Sequence, residues 1–225
     1  MTRRVAAAGY AALAPELFAH DGETPAPLQR DRLAELRGLF DDLPPGQAMD
    51  EAAREAALAK RPPELAQRIR ESFQSMMTSV RSGLDRYLPA VQAAIRHLRE
   101  VDLTRGAGVA TVGFCMGGGV SALAACHDPA LRGAAIFYGI APSPDLLAGI
   151  QCPVVGFYGS KDARLVDALP AFTAAMGAQG KSLETHVYEG VGHAFFNDER
   201  PSYDVAASRH AFARLLAFLD QVLKN

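Results

Sequence analysis

The sequence predicts an α/β fold, with a mostly parallel sheet and helices on both faces, built as one domain over residues 1–225. Three observations predict it. From residue 108 onward, short apolar runs alternate with helical stretches, which is typical of parallel strands joined by crossover helices. The first run ends in a glycine-rich turn with a cysteine at its apex. Two later runs end in turns that carry Asp162 and His193.

The apolar runs define the predicted strands. Four of them have strand length and composition: Gly108–Phe114, Gly133–Tyr138, Pro153–Tyr158 and Leu183–Tyr188. Helices are predicted between the first three, and then at Val166–Ala178 and Asp204–Leu223. A fifth strand is predicted at Tyr10–Leu17, after a short helix at Thr2–Ala8.

Residues 25–100 form a mainly helical block within the predicted domain. Ala, Leu, Arg, Glu and Gln dominate it, and its charges are expected on solvated helix faces. Pro44-Pro45-Gly46 and Pro62-Pro63 divide the block into separate helices, because proline cannot continue a helix. Leu88–Leu98 has apolar residues at the helical period, which predicts an amphipathic helix.

The composition excludes several classes of protein. A chain of 225 residues that is 49% hydrophobic and 21% charged is typical of a globular protein with one sizeable core. Its net charge of -2 gives no reason to expect nucleic acid or a membrane as partner, and no apolar run approaches the ~20 residues of a membrane span. Three unpaired cysteines and no visible leader favour a cytoplasmic protein, and no metal or organic cofactor is expected.

The segment Gly113-Phe-Cys-Met-Gly117 has the spacing of a nucleophile elbow, with cysteine in place of serine. A nucleophile on such a strand-to-helix turn has strained backbone angles, so the residues two positions away on either side are expected to be small. The turn places Cys115 at a helix N-terminus, where the helix dipole favours a thiolate. The alternative is a glycine-rich loop that contains a buried cysteine.

Asp162 and His193 complete a candidate catalytic triad. Each follows a predicted strand, and the chain order of nucleophile, acid and histidine is that of the α/β-hydrolase triad. Histidine exchanges protons with the thiol and the leaving group, and the carboxylate orients the imidazole. Taken singly, Asp162 is a plausible helix cap and His193 a plausible loop histidine. The ordered combination favours catalysis.

The sequence resembles the dienelactone hydrolase family of α/β-hydrolases, also called carboxymethylenebutenolidases. The resemblance rests on three motifs: Gly-Phe-Cys-Met-Gly-Gly at 113–118, Tyr-Gly-Ser-Lys-Asp at 158–162 and Gly-Val-Gly-His-Ala-Phe-Phe-Asn at 190–197. It implies hydrolysis of a small-molecule lactone or carboxylic ester through a thioester. The implied roles are Cys115 as nucleophile, Asp162 as orienting acid, His193 as base and the Met116 backbone N–H in the oxyanion hole.

Two departures from the family qualify this expectation. The family has further N-terminal strands, a glutamate that holds the resting thiol and an oxyanion-hole N–H, so we expect an internal start or a shortened copy. Dienelactone hydrolases place an arginine after the catalytic histidine, where this sequence has Asn197. Asn197 and Phe195 are candidate substrate contacts, although Phe195 and Phe196 are also expected in the pocket wall or core. Another candidate anion partner lies among Arg68, Arg70 and Arg81. Arg200 is also nearby, but its position favours an ordinary surface arginine.

The leading hypothesis is therefore a cysteine-dependent ester or lactone hydrolase. A catalytically impaired copy that acts as a binding domain is the alternative. A thiol redox protein is disfavoured, because no second cysteine has a resolving spacing and Asp162 and His193 would have no role. The sequence does not indicate the physiological substrate or the oligomeric state.

Overall fold

Residues 1–19, 22–44 and 47–224 are described by a computed structural model. The chain divides into two compact units, where the sequence predicts one domain. One unit contains Met1–Pro15 and Leu84–Asn225, and the other contains Glu16–Gly83. The helical block therefore has a packing unit of its own, which ends before the predicted boundary at residue 100. Of the predicted helix breaker at 44–46, Pro45 and Gly46 lie outside the described residues.

The larger unit is built on a parallel sheet of four strands. In chain order these are β1 (Ala110–Phe114), β2 (Gly133–Phe137), β3 (Val154–Gly159) and β4 (Leu183–Tyr188). They lie side by side in the same order, β1-β2-β3-β4, and every neighbouring pair is parallel. All residues of β2 and β3 are buried, so other layers cover both faces of the sheet. The predicted α/β fold is confirmed.

The nine α-helices found among the described residues are α1 (Thr2–Ala7), α2 (Arg30–Asp41), α3 (Glu51–Leu58), α4 (Pro63–Arg81), α5 (Leu88–Glu100), α6 (Met116–His127), α7 (Ala163–Val166), α8 (Leu169–Ala178) and α9 (Val205–Leu223). The helix predicted at Val166–Ala178 corresponds to α8, which begins three residues later, and the short α7 precedes it. Pro170 lies in the first turn of α8, where proline is tolerated. Between β2 and β3 the connection is a short 3₁₀ helix, Pro144–Gly149.

The predicted strand at Tyr10–Leu17 is wrong. This segment has no regular secondary structure, and a turn begins at its end. Pro15 lacks a backbone N–H and cannot take part in a full ladder. Half of the residues in this segment are exposed and the other half are only partly buried, so pairing would bury little apolar surface. Within the described residues β1 therefore pairs with β2 alone.

The smaller unit, Glu16–Gly83, has its own apolar cluster. Helices α2, α3 and α4 contribute Leu36, Leu39, Leu58, Ala66 and Ile69 to it. Asp50 caps α3 by accepting a hydrogen bond from Ala53 N–H, and Pro62-Pro63 begins α4, as the sequence predicts. No helix in the described part of either unit has the length and apolar character required to cross a bilayer.

Candidate active site

Cys115 stands between β1 and α6 in a strained turn. Its backbone has φ 54° and ψ -120°, which few residues other than glycine adopt. Its N–H donates to Phe137 O at 2.9 Å, so β2 holds the turn in place. A Cβ at Gly113 would lie 1.8 Å from Gly117 O, whereas one at Gly117 would meet nothing within 4 Å. The predicted need for a tiny residue therefore applies to Gly113 and not, on this ground, to Gly117.

The structure brings Cys115, His193 and Asp162 together in one line of contacts. His193 Nε2 lies 3.2 Å from Cys115 Sγ, and His193 Nδ1 lies 2.5 Å from Asp162 Oδ2. Asp162 occupies the N-cap position of α7, but its side chain makes no capping hydrogen bond. The carboxylate instead accepts the Nδ1 proton, which fixes the orientation of the imidazole and leaves Nε2 facing the sulfur.

Hydrogen bonds between the β3–α7 and β4–α9 connections hold the acid and the histidine in register. Ser160 Oγ accepts from Gly190 N–H at 2.8 Å, and Lys161 N–H donates to Val191 O at 2.9 Å. Because neighbouring parallel strands end at the same edge, these bonds join two loops that already lie close together. Asp162 and His193 therefore lie on two loops that hydrogen bonds hold together.

The electrostatics of the pair favour charge separation. Burial raises the pKa of Cys115, but the hydrogen bond and positive charge of His193, with the Met116 N–H, outweigh burial, and the pKa falls below its ordinary value. Burial lowers the pKa of His193, but the hydrogen bonds and charges of Cys115 and Asp162 outweigh it and raise the pKa to about 8. Both shifts favour a thiolate paired with an imidazolium near neutral pH.

Tyr138 is a site residue that the sequence reasoning missed. Its ring centroid lies 5.0 Å from that of His193, at an interplanar angle of 61°. It follows β2 directly, its φ is 39°, and it is buried. Burial, and then the nearby charge of Cys115, raise the pKa of Tyr138, so its hydroxyl stays protonated. The sequence signal was its place at the end of a strand beside Gly139.

The residues predicted for the oxyanion hole and for substrate contact lie in different environments. The Met116 backbone N–H follows the nucleophile directly and helps to lower the pKa of the Cys115 thiol. Phe195 is fully buried against Tyr138 and Tyr188, which is the core position that the sequence also offered. Asn197 is half-buried, and its side-chain oxygen accepts from Glu199 N–H at 3.1 Å within its own loop.

The arginines proposed as anion partners are distributed between the two units. Arg68 and Arg70 belong to the smaller unit and pair with Glu35 and Glu55, each at 2.7 Å. Arg81 lies in the last turn of α4 in the same unit, while Arg200 lies in the loop after the histidine. Within the ranges that the structure describes, no three His, Cys, Asp or Glu side chains are grouped as a metal would require.

Comparison with known proteins identifies the family. The model of the "Dienelactone hydrolase family" matches residues 1–223. The chain belongs to the dienelactone hydrolase family. This confirms the resemblance of the sequence and the predicted enzyme class, a hydrolase of esters or lactones.

Individual dienelactone hydrolase relatives are distant. A Saccharolobus solfataricus protein named "Putative carboxymethylenebutenolidase" is 29% identical over 100% of this chain and 83% of its own. A Bradyrhizobium protein named "Probable 2-oxo-3-(5-oxofuran-2-ylidene)propanoate lactonase" is 33% identical over 59% of this chain and 58% of its own. The crystal structure of "Putative Dienelactone Hydrolase" from Klebsiella pneumoniae has 28% identity and a TM-score of 0.55, covering 61% of this chain and 62% of that one. This chain thus spans less than two thirds of the last two proteins.

Proposed function

We propose that this protein hydrolyses a small lactone or carboxylic ester through a Cys115–His193–Asp162 triad and a thioester intermediate. The observation that carries the proposal is the continuous contact from Sγ to Nε2 at 3.2 Å and from Nδ1 to Oδ2 at 2.5 Å. Its place at the carboxyl edge of a parallel sheet, where α/β enzymes bind their ligands, supports the proposal. The lactone named for the Bradyrhizobium relative gives one substrate of this class.

In the first half of the proposed reaction the Cys115 thiolate attacks the ester carbonyl carbon. The backbone N–H of Met116 lies next to the nucleophile. It donates to the carbonyl oxygen and stabilises the negative charge that develops there. As the intermediate collapses, the carbonyl–oxygen bond breaks and the His193 imidazolium donates its Nε2 proton to the leaving alkoxide. The products are an alcohol and an acyl group on Cys115, and a lactone would keep both in one molecule.

In the second half, neutral His193 removes a proton from water, and the hydroxide attacks the thioester carbonyl. Collapse of this intermediate breaks the carbon–sulfur bond and releases the carboxylic acid and the Cys115 thiolate. Because His193 already holds the proton taken from water, the imidazolium–thiolate pair is restored. The Asp162 carboxylate stabilises the imidazolium each time it forms. Tyr138 packs edge-on against the imidazole and restricts its rotation.

The test is hydrolysis of phenyl acetate by the wild-type chain, Cys115→Ala and the matched control Cys126→Ala. Cys126 is buried in α6 and outside the triad, so its variant controls for loss of a thiol. We expect Cys115→Ala to reduce kcat/KM to background while Cys126→Ala keeps it within about threefold. A folded Cys115→Ala protein with wild-type turnover would refute the proposed nucleophile.

A further inference from the structure

A cavity that the proposed reaction does not use lies at the carboxyl ends of β2 and β3. Its volume is about 200 Å³, and its walls are mostly apolar. Leu165, Leu169 and Phe172 form one side, and residues Gly139–Ala141 and Tyr158 form part of another. An apolar cavity of about 150 Å³ is large enough for benzene. A ring-sized group therefore fits.

The cavity adjoins the triad through two shared loops. Gly139 follows Tyr138, whose ring packs on His193, and a Cβ on Gly139 would lie 2.6 Å from Gly118 and Gly119 backbone atoms in the first turns of α6. On the other side, Arg164 comes two residues after Asp162. The cavity therefore shares its lining loops with the residues that surround the triad.

Two side chains on the cavity wall, Tyr158 and Arg164, can donate hydrogen bonds and have no partner among the described residues. Tyr158 is 2% exposed, and its hydroxyl makes no hydrogen bond to any residue that the structure describes. The hydroxyl oxygen is not among the buried polar atoms that lack a partner in the described ranges, so solvent reaches it and it is free to donate to a bound acceptor. A Cβ at Gly156 would lie 2.5 Å from the Tyr158 ring, so the ring rests close against the strand backbone.

Arg164 adds a positive charge at the same cavity. Its side chain is exposed and forms no ion pair or hydrogen bond with the residues in the described ranges. By contrast, Arg68 and Arg70 are already paired with carboxylates. A phenol hydroxyl and a guanidinium are both donors, so the complementary ligand group is an oxygen acceptor.

We propose that this cavity binds a ring-sized apolar group of the ester substrate, and that Tyr158 and Arg164 donate to an oxygen acceptor on that ring. The inference rests on the proposed hydrolase function and deepens it. The ring belongs either to the acyl half or to the alcohol half of the ester. In both cases the cavity would contact an apolar ring that carries an oxygen acceptor. Two ring-bearing substrates distinguish them.

Filling the cavity tests the first part of the proposal. Ala168→Phe places a ring at the cavity wall, and Ala174→Phe is the control, since Ala174 is also exposed on α8 but does not line the cavity. The substrates are vinyl acetate without a ring, phenyl acetate with a ring on the alcohol side and methyl phenylacetate with one on the acyl side. Ala168→Phe should lower kcat/KM for one ring-bearing ester by about 10- to 100-fold more than for vinyl acetate, and Ala174→Phe should not.

Removing the donors tests the second part. A 4-methoxy group adds an acceptor oxygen to the preferred ring-bearing ester with little change in leaving-group basicity. Tyr158→Phe and Arg164→Gln should each reduce the advantage of the methoxy ester over the plain ester by about 2- to 10-fold. Arg209→Gln, on the exposed surface of α9 and outside the cavity lining, should preserve it.

The outcomes separate this inference from the proposed function. Equal effects of Ala168→Phe on all three esters, or no effect on any, would overturn the ring subsite while Cys115-dependent turnover stood. An unchanged methoxy preference in both donor variants would overturn the assignment of Tyr158 and Arg164. Absence of Cys115-dependent turnover of every ester would instead refute the proposed function.

Discussion

Cys115 and Cys126 lie at opposite ends of the same helix, α6, and their surroundings push their chemistry in opposite directions. Cys115 precedes the helix, is accessible to solvent and faces His193. The imidazole lowers the pKa of Cys115 although the surrounding protein atoms partly desolvate the sulfur. Cys126 lies in the last turn, where burial and then the neighbouring Cys152 raise its pKa to about 11. The helix dipole adds to the difference, because it favours a thiolate only at the N-terminal end. The reactivity of a thiol is therefore a property of its position in the fold.

The largest expected effect comes from removing the cation beside Cys115. His193→Ala should lower kcat/KM for phenyl acetate by about 10²- to 10⁴-fold, because the variant loses both the proton carrier and the charge that stabilises the thiolate. The control is His97→Ala, on an exposed position of α5. Steady-state kinetics test this prediction, and a small change, within about threefold, would remove His193 from the mechanism.

Alkylation compares the two ends of α6 directly. At pH 7 the native protein should react with iodoacetamide at Cys115 at least about 100-fold faster than at Cys126 or Cys152, since the pKa of each buried thiol is raised to about 11. Peptide mass spectrometry with timed quenching measures the three rates. Comparable rates at Cys115 and Cys126 in the folded protein would contradict the comparison.

The two glycines of the elbow form a matched pair at the N-terminal end of α6. Gly113→Ala should destabilise the protein by about 3 kcal/mol or more, because its Cβ would overlap Gly117 O and the backbone must move. Gly117→Ala should be neutral or stabilising by up to about 1 kcal/mol, because its Cβ enters open space and alanine favours helix. Urea unfolding measures both. Equal destabilisation would mean that the elbow geometry is wrong.

The smallest expected effect is a pH dependence of stability. The pKa of His193 is raised from 6.5 to about 8, so its charge stabilises the folded state fully below about pH 6.5, and this contribution is lost as the pH rises through about 8. The His193 side chain is 42% exposed, so solvent screening should limit the effect to less than about 1 kcal/mol. The difference in unfolding free energy between wild type and His193→Gln should shrink between pH 6 and pH 9. A difference that grows over this range would contradict the raised pKa.

The sequence was most informative where one local pattern determined the structure. The β1–α6 elbow and the later strands followed from apolar runs and glycine spacing, and the chain order of Asp162 and His193 placed them at one sheet edge. The segment Tyr10–Leu17 has a strand-like composition but pairs with no strand in the described part of the chain, which composition alone does not reveal. The separate core of Glu16–Gly83 depends on contacts between helices, so helical periodicity did not indicate a second unit.

The sequence predicted the reacting groups of the candidate site better than the residues that surround them. Cys115, Asp162 and His193 have residue types and spacing that suggest chemistry. Tyr138 and Tyr158 are ordinary strand aromatics in the sequence. The importance of Tyr138 comes from its positive φ beside His193, and that of Tyr158 from a hydroxyl that bonds to none of the described residues. Such features arise only when neighbouring strands are assembled.

Intact-mass and peptide analysis of the protein quenched in acid during turnover of phenyl acetate tests the central claim most directly. Cys115 as nucleophile predicts an acetyl group on the peptide that contains Cys115, labile to hydroxylamine as a thioester is, and increased when His193→Ala slows deacylation more than acylation. An active enzyme that never carries an acyl group under single-turnover sampling, or carries it on Cys126 or Cys152, would contradict the account.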